Sequence, residues 1–594
     1  MDLLRLICGL ALFLFGMELM GSSLKKSAGK SLKKILGEFT SNKFKGFLLG
    51  LSVTAIIQSS SATTVMVVGF VNSGTMLLSQ AISVIMGANV GTVVTTWLTS
   101  LNGISQSGSP LNAFQYFKPD FWMPILAFVG IILLTFSKKQ RTYDIATVLL
   151  GFSVLMVGMD LMSEAVAPLK DNEAFVNILT LFKNPIMGVL AGAVLTVIVQ
   201  SSSASIGILQ ALSTTGAINF SMAIPIILGQ NVGTCVTAMI SSIGANKNGK
   251  RAAFVHLYFN LFGVVIWLSA YYFIGWLLGV AGVFDLFYAT ETASVNMWGI
   301  AIVHTVFNLL NVIAFFPFTK LFEKLVCFTV KGEDRRGDEY TQILDKRLFE
   351  TPTVAIERSY EVSCRMMSLS ADAIRNSLGL LENYDKRIAD KIRADEELTD
   401  IYEDELSSYL VKLSEQNMDE ADSREVTKLL HMIGDVERIG DHALNILEVS
   451  EEIKDSEVSF SKEAKEQLKV FYSAVLEIVT LSESALFEDD LDKAYLVEPL
   501  EQVVDDLRAE VRRRHIERLQ KNECSIEHGL VLSDILTNLE RVADHCSNIA
   551  SCLIEMAKKE RLATHSYLRR VKTEAPEFKK NYYMFSQKYA LSKE

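Results

Sequence analysis

The sequence predicts an all-α polytopic membrane protein with two inverted repeats containing re-entrant helical hairpins, followed by a cytoplasmic pair of three-helix bundles. Three observations predict it. Apolar runs fill the chain up to about Phe318, and from Thr351 it becomes dense in Glu, Asp, Lys and Arg with helical periodicity. The apolar part repeats itself at an offset of 142 residues, and the polar part at offsets of 103 and 105.

A bilayer core takes roughly 20 apolar residues per helix. Runs of this kind are Leu3–Met20, Ala81–Leu101, Phe121–Phe136, Ile145–Met162, Met222–Ile243, Ala252–Val280 and Val295–Phe318. The opening run has no small-residue cleavage site after it, so it reads as a retained first span. Two further apolar segments, Gly46–Ser73 and Gly188–Thr215, are each interrupted by a polar run. The positive-inside rule then fixes a topology. The loop after the first span holds Lys25, Lys26, Lys30, Lys33, Lys34, Lys43 and Lys45. Lys138, Lys139 and Arg141 form a second basic loop, and Lys247, Lys250 and Arg251 a third. Loop 102–120 has only Lys118, and 281–294 has no Lys or Arg, only Asp285 and Glu291. These alternate if the interrupted segments are hairpins that do not cross, with the N-terminus outside and the acidic C-terminal part cytoplasmic.

The repeat is in register. Gly16-Met17-Glu18-Leu19-Met20 matches Gly158-Met159-Asp160-Leu161-Met162, and Gly46 and Gly50 match Gly188 and Gly192. Gln58-Ser59-Ser60-Ser61-Ala62 matches Gln200-Ser201-Ser202-Ser203-Ala204, and Gly87-Ala88-Asn89-Val90-Gly91-Thr92 matches Gly229-Gln230-Asn231-Val232-Gly233-Thr234. Three full spans separate the two starts, an odd number, so the second copy is upside down, as in many secondary transporters. Each hairpin arm of about 12 residues reaches ~18 Å, past the midplane but not across. The tips are expected to meet near the midplane.

At the tips stand Gln58, Ser59, Ser60, Ser61, Thr63 and Thr64, and Gln200, Ser201, Ser202, Ser203 and Ser205. A polar run at that depth is costly unless it lines a cavity or pairs internally. The second arm starts at about Ser61 or Ser203, where free N–H groups and the dipole favour an anion. The first arm ends at Gln58 or Gln200, where carbonyl and side-chain oxygens can replace the water of a small hard cation. The competing reading is close helix packing through small residues. Asn89 and Asn231, flanked by glycine, are the next oxygen donors. Glu18 and Asp160 read as interfacial acids, His256 and His304 as structural histidines, Asn308 and Asn311 as helix–helix contacts.

The doubled QSSSA tips, with GANVGT and GQNVGT behind them, resemble the type II sodium-dependent phosphate cotransporter family over roughly residues 1–318. The resemblance implies that the tip residues line phosphate and sodium sites. Ile206 stands where Thr64 stands in the first copy, and Ser205 where Thr63 does, which leaves the sodium number open.

The polar part predicts six amphipathic helices, roughly 353–384, 386–417, 422–453, 461–488, 491–521 and 526–559. Glu437, Asp441, His442 and Asn445 recur as Glu540, Asp544, His545 and Asn548, and Glu396 and Asp400 as Glu501 and Asp505, so each half is a three-helix bundle. ExxxD places both carboxylates on one helix face. Glu396/Asp400 with Glu437/Asp441, and Glu501/Asp505 with Glu540/Asp544, form two candidate hard-metal sites, although one such pair alone is more often a solvated face. The pattern resembles PhoU, the regulator of phosphate uptake, over about 355–558; that likeness implies divalent or iron-type metal ions.

The organisation expected is a first membrane repeat over 1–138 with hairpin 46–73 and a second over 139–318 with hairpin 188–215 and additional spans. A linker over 319–350, a PhoU-like domain over 351–560 and a tail over 561–594 follow. The function expected is sodium-coupled transport of inorganic phosphate across the plasma (inner) membrane by alternating access, regulated by the cytoplasmic domain. The alternatives are a phosphate receptor that does not transport, or a sodium-coupled carrier of another anion. Sodium, phosphate and the lipid bilayer are the expected partners; import and export use the same site, and a homo-oligomer also fits. Net charge is -11, arising largely from the polar part, and points to no nucleic acid. Seven cysteines without a CxxC pair suit a reducing compartment. No nucleophile–base set and no P-loop glycine run is present, so an enzyme is the least supported class.

Overall fold

A computed structural model describes residues 2–38, 42–74, 76–104, 119–137, 139–172, 175, 177, 179, 181–280, 293–332, 344–416, 418–456, 459–557 and 576–592. Among these residues the fold is helical, with one isolated antiparallel bridge between Asn219 and Ser294. Two compact units divide the chain, Met1–Thr353 and Val354–Glu594. Loop residues Lys118, Asp285 and Glu291, the stretch 333–343 of the linker and 561–575 of the tail lie outside the described residues, as do the side chains of Lys26, Lys30, Lys33 and Lys34.

The first unit opens with α1 (Asp2–Glu38). This helix runs on well past the apolar stretch, so Lys25, Lys26, Lys30, Lys33 and Lys34, expected in a loop, are carried by its polar continuation, and Lys43 and Lys45 fall in the first turn of the next helix. Next come α2 (Lys43–Ile57) and α3 (Ser60–Asn72), then α4 (Leu78–Gly91) and α5 (Val93–Ser100), which form one span with a break at Thr92. After them run α6 (Pro119–Phe136) and α7 (Gln140–Val166). The second hairpin is α8 (Pro185–Val199) and α9 (Ser202–Ser213), followed by α10 (Phe220–Ser241), α11 (Lys247–Val280), α12 (Met297–Phe315) and α13 (Thr319–Thr329).

The inversion is visible where repeat-related helices touch. A Cβ on Gly9 would meet the Gly158 carbonyl oxygen at 2.9 Å, and one on Gly16 the Gly151 carbonyl oxygen at 2.6 Å. Gly9 and Gly151 are repeat partners, as are Gly16 and Gly158, so α1 and α7 run antiparallel about a pseudo-two-fold axis. Each hairpin's first arm is zipped to the following span in the same way. A Cβ on Gly50 would lie 1.9 Å from the Val84 carbonyl oxygen, and one on Gly192 2.0 Å from that of Ile226. Only glycine permits backbones that close.

Six helical segments of this unit are long and apolar enough to cross a membrane: Leu3–Lys25, Leu78–Gly103, Arg141–Leu169, Phe220–Ser241, Lys247–Leu277 and Met297–Thr329. The expected span Phe121–Phe136 is a shorter apolar helix. A seventh long apolar helix, Lys462–Glu488, belongs to the second unit and buries Phe471, Val475, Ile478 and Val479 there. It carries Glu466, Lys469, Glu477 and Glu483 as well, the pattern of a bundle helix.

At one end of the first unit a short strap precedes the second. Arg347 donates from Nε to the Ser241 carbonyl (2.7 Å) and pairs with Asp345 (2.6 Å). Asp345 accepts from Asn72 Nδ2 at 2.8 Å. Leu348, fully buried, packs beside Gly69, and Glu350 pairs with Lys25 at 3.3 Å. The strap thereby ties α1, the end of α3 and the end of α10.

The second unit comprises α14 (Pro352–Glu382), α15 (Lys386–Ser414), α16 (Glu420–Asp455), α17 (Lys462–Glu488), α18 (Leu491–Gln520), α19 (Ile526–Ala557) and α20 (Pro576–Lys588). Side-chain oxygens of Asp385, Asp419, Ser461 and Asp490 cap α15 to α18. The last helix, inside the expected tail, packs on the bundle: Tyr582 donates to Asp506 (2.6 Å) and Lys588 pairs with Glu477 (2.7 Å).

Candidate substrate and ion sites

The two tips are built alike. Gln58 and Gln200 each close the first arm in the left-handed region, at φ 60° and 56°. Their backbone N–H groups donate to Thr54 (2.8 Å) and Thr196 (2.7 Å). Ser59 and Ser201 are extended and cap the second arm, each hydroxyl accepting from an alanine N–H (Ala62, Ala204) at 3.2 Å. A non-glycine residue at positive φ costs about 1–2 kcal/mol. The same strained turn occurs at both repeat-related positions. It starts the second arms at Ser60 and Ser202, one residue earlier than expected, and leaves the first-turn N–H groups of Ser60, Ser61, Ser202 and Ser203 outside the helix ladder. The hydroxyls of these four serines make no hydrogen bond to another described residue.

The tips differ in their surroundings. Gln58 is buried, its Oε1 accepting from the Thr95 hydroxyl at 2.7 Å. Gln200 is exposed, and Thr237, the repeat partner of Thr95, donates instead to Thr234 on its own helix. In the first hairpin Thr63 is bonded to Thr54 and Ser59, and Thr64 to Ser60, all three bonds within the hairpin. Loss of the Thr64 hydroxyl at Ile206 therefore removes an internal bond. In the second hairpin the Ser205 hydroxyl is buried without a partner, beside Gln230, whose Nε2 donates to the Ser205 carbonyl (2.9 Å) and whose Oε1 is also unpartnered. Both hairpins reach the same helix: Gln58 at Thr95, and Gln210, on α9, at Thr96 (3.1 Å) and Thr99 (2.6 Å). No hydrogen bond joins tip to tip among the described residues.

Asn89 and Asn231 face histidines. Asn89 Nδ2 donates to Ile85 and Asn231 Nδ2 to Ile227, which fixes each Oδ1 as an acceptor. His256 Nε2 and His304 Nε2 approach these oxygens at 3.4 Å, so each ring carries its proton on Nε2. His304 Nδ1 then accepts from Thr96 at 3.0 Å. Glu18 is exposed. The histidine positions belong to a second internal repeat that sequence reasoning passed over: Val255-His256, Phe259-Asn260-Leu261 and Val264 recur as Val303-His304, Phe307-Asn308-Leu309 and Val312, an offset of 48. The HxxxN spacing inside two apolar spans was the available signal.

In the helical domain, Glu396, Asp400 and Asp441 bring oxygens within 4.8 Å of one another. Burial first and the Asp400 charge second raise the pKa of Glu396, burial first and Asp441 second raise that of Asp400, and Glu437 is pushed up to about 7 by burial first and Asp441 second. Arg438 reaches the rim of this cluster, 3.5 Å from Glu437 and 3.4 Å from Asp441, and the gathered carboxylates suit a hard cation. The second cluster is different. Glu540 and Asp544 are raised by burial and then by neighbouring carboxylates, with Asp505 close to both and Glu501 buried, but Arg508 pairs with Glu540 at 2.6 Å. Arg508 stands where the first cluster has Glu403, at the offset of 105.

The sequence profile of the Na+/Pi-cotransporter family matches residues 12–164 and 155–304, and that of the PhoU domain matches 364–450 and 469–553. The Escherichia coli K12 protein provisionally named as inorganic phosphate export protein YjbB is 24% identical over 573 residues, spanning 94% of this chain and 99% of its own length. The PhoU homolog 1 of Thermotoga maritima, a phosphate-specific transport system accessory protein, is 26% identical over 32% of this chain and 82% of its own. Mouse sodium-dependent phosphate transport protein 2A is 22% identical over 43% of this chain and 59% of its own. Tandem helical-hairpin repeats in an apolar unit, an all-α bundle behind them and both profiles in matching order lead to one conclusion: the chain is a multi-pass membrane member of the Na+/Pi-cotransporter family carrying a PhoU-like domain.

Proposed function

We propose that the chain moves inorganic phosphate across the plasma membrane coupled to sodium, by alternating access. The observation that carries this reading is the doubled left-handed glutamine turn with its serine cap, inverted about the pseudo-two-fold axis. Each turn offers unbonded helix-start N–H groups and serine hydroxyls to an oxyanion, and carbonyl and amide oxygens to a cation. Ser205 and Gln230 add two buried acceptors beside the second tip, a place for sodium rather than phosphate. The inequality of the tips supports alternation: one glutamine is pinned to Thr95, while its partner is unlatched. In the opposite state Gln200 would engage Thr237 and Gln58 would release Thr95.

The N-terminus is read as outside and the helical domain as cytoplasmic, from the basic residues of the loops. The domain regulates the carrier and holds a divalent or iron-type metal at Glu396, Asp400 and Asp441, with Glu437 beside them. Arg508 takes the place of an ion in the second cluster, so one metal per chain is expected.

The test is phosphate flux in proteoliposomes under sodium gradients of both signs. Flux that follows the sodium gradient supports the carrier. Binding without flux would make the protein a receptor, and equal competition by other oxyanions would broaden the substrate. The name of the Escherichia coli relative refers to export, that of the mouse relative to sodium dependence; a reversible coupled carrier accommodates both.

A further inference from the structure

The hairpin tips do not account for a second set of buried polar groups, on α11 and α12. His256, Asn260 and Gly263 fall on one face of α11, and their partners at offset 48, His304, Asn308 and Asn311, on one face of α12. These faces confront each other. A Cβ on Gly263 would meet the Asn311 amide at 2.2–2.6 Å, and the Phe259 ring lies edge-on to Phe315 at 5.8 Å. Position 263 thus lies opposite 311, and 259 opposite 315, so the helices are antiparallel. Repeat-related positions that touch each other lie on the pseudo-two-fold axis. Asn311 therefore sits on that axis, in space that its own partner leaves by being glycine.

The amides there are incompletely bonded. Asn260 Nδ2 donates to the His256 carbonyl (3.0 Å) and Asn308 Nδ2 to the His304 carbonyl (2.9 Å). With the nitrogens fixed, the remaining atom of each amide is an oxygen, and neither oxygen has a partner. Asn311 has none for either atom. All three side chains are 0% exposed. Leaving such groups unmet costs about 1–3 kcal/mol apiece. At 1.5 Å of rise per residue, Asn260 lies about 4.5 Å to one side of the 263/311 level and Asn308 about 4.5 Å to the other. No Asp, Glu, Lys or Arg occurs between Ala252 and Val280 or between Met297 and Phe315. Oriented acceptors attract a cation rather than an anion. Neutral oxygens without a carboxylate suit a monovalent ion, because calcium and magnesium sites draw on charged ligands.

We propose that Asn260, Asn311 and Asn308 form a short file of monovalent-cation positions that crosses the pseudo-two-fold axis at Asn311, separate from the hairpin tips and taking sodium between neighbouring oxygens. Only the choice of sodium rests on the transport reading; the site itself rests on the amides. The test is equilibrium binding of radiolabelled sodium to the purified full chain without phosphate, so that it reports independently of transport. Asn311→Ala should bind one sodium fewer per chain than the wild type. Asn308→Asp, which adds a charge at constant size, should tighten binding about tenfold, and it is informative even if Asn311→Ala fails to fold. Sodium stoichiometry and affinity unchanged in both asparagine variants would overturn the site and leave the amides as hydration points only. Transport that fails while these binding changes persist would sink the transport reading and not this one.

Discussion

Two glutamines hold backbone conformations that cost energy, and they hold them at matched places. Gln58→Ala or Gln200→Ala removes the amide oxygens while leaving the turn; sodium-dependent phosphate flux should fall about tenfold or more, the effect of losing roughly 1.4 kcal/mol at a bound ion. Equal expression with wild-type flux in both variants would refute the tips as the site. The motif itself was legible in the sequence because four identical polar residues recur in register. The asymmetry was not, because Thr95 and Thr237 are repeat partners of the same type and only packing decides which one reaches a glutamine. The cation file of α11 and α12 was hidden for another reason: its repeat has a different offset and its residues, taken one by one, resemble ordinary helix glue. In the first carboxylate cluster of the helical domain the residue to watch is Glu437. Its pKa is raised to about 7 from 4.5, so its stabilising contribution is complete below pH 4.5 and is lost as pH rises through 7. Chelator-treated Val354–Glu594 should lose on the order of 1 kcal/mol across that window, once solvent screening is allowed for. Thermal melts of Glu437→Gln should show a flatter pH profile.

Helices were the most readable elements. The six bundle helices begin and end within three residues of their expected limits, because amphipathic periodicity and Asp or Ser caps both mark them. The hairpin arms were placed with similar fidelity, since glycine pairs and a polar tip bracket each one. Less readable was the continuation of α1 beyond its apolar run: lysines are good helix formers, and positive charge alone does not end a helix. The glycine zips yield a sharp expectation at this scale. Gly50→Val places side-chain carbon against the Val84 carbonyl with no flexible neighbour to yield, and Gly192→Val does the same at Ile226. Each should cost about 1–3 kcal/mol and loosen a hairpin; a melting temperature equal to wild type in detergent would show that the arms are not held this way. Between the two carboxylate clusters, Arg508→Ala should let a second metal bind, raising the content by one ion per chain in elemental analysis. Glu437→Ala with Asp441→Ala should lower it.

At the level of the molecule, two inverted copies share a pseudo-two-fold axis, and departures from symmetry mark where the halves do different work. Gln58 is latched and Gln200 is not, and Asn311 faces glycine. The charge of the loops sets the expected topology, and the stretch 281–294, the natural place for an outside label, is described only at Ala293 and Ser294. The strap was illegible, since a short segment rich in charge gives no hint that Asp345 and Leu348 become buried. Only Thr351, Pro352 and Thr353 stand between Glu350 and the first residue of the second unit. Arg347→Ala should therefore change the maximal rate of phosphate flux several-fold while leaving its KM in place; an unchanged rate would reduce the strap to a fastener. When the arm ending at Asn72 shifts, Asp345 and the strap bonded to it would be carried along, so that an event at the hairpin tip would be written at the far end of the same arm.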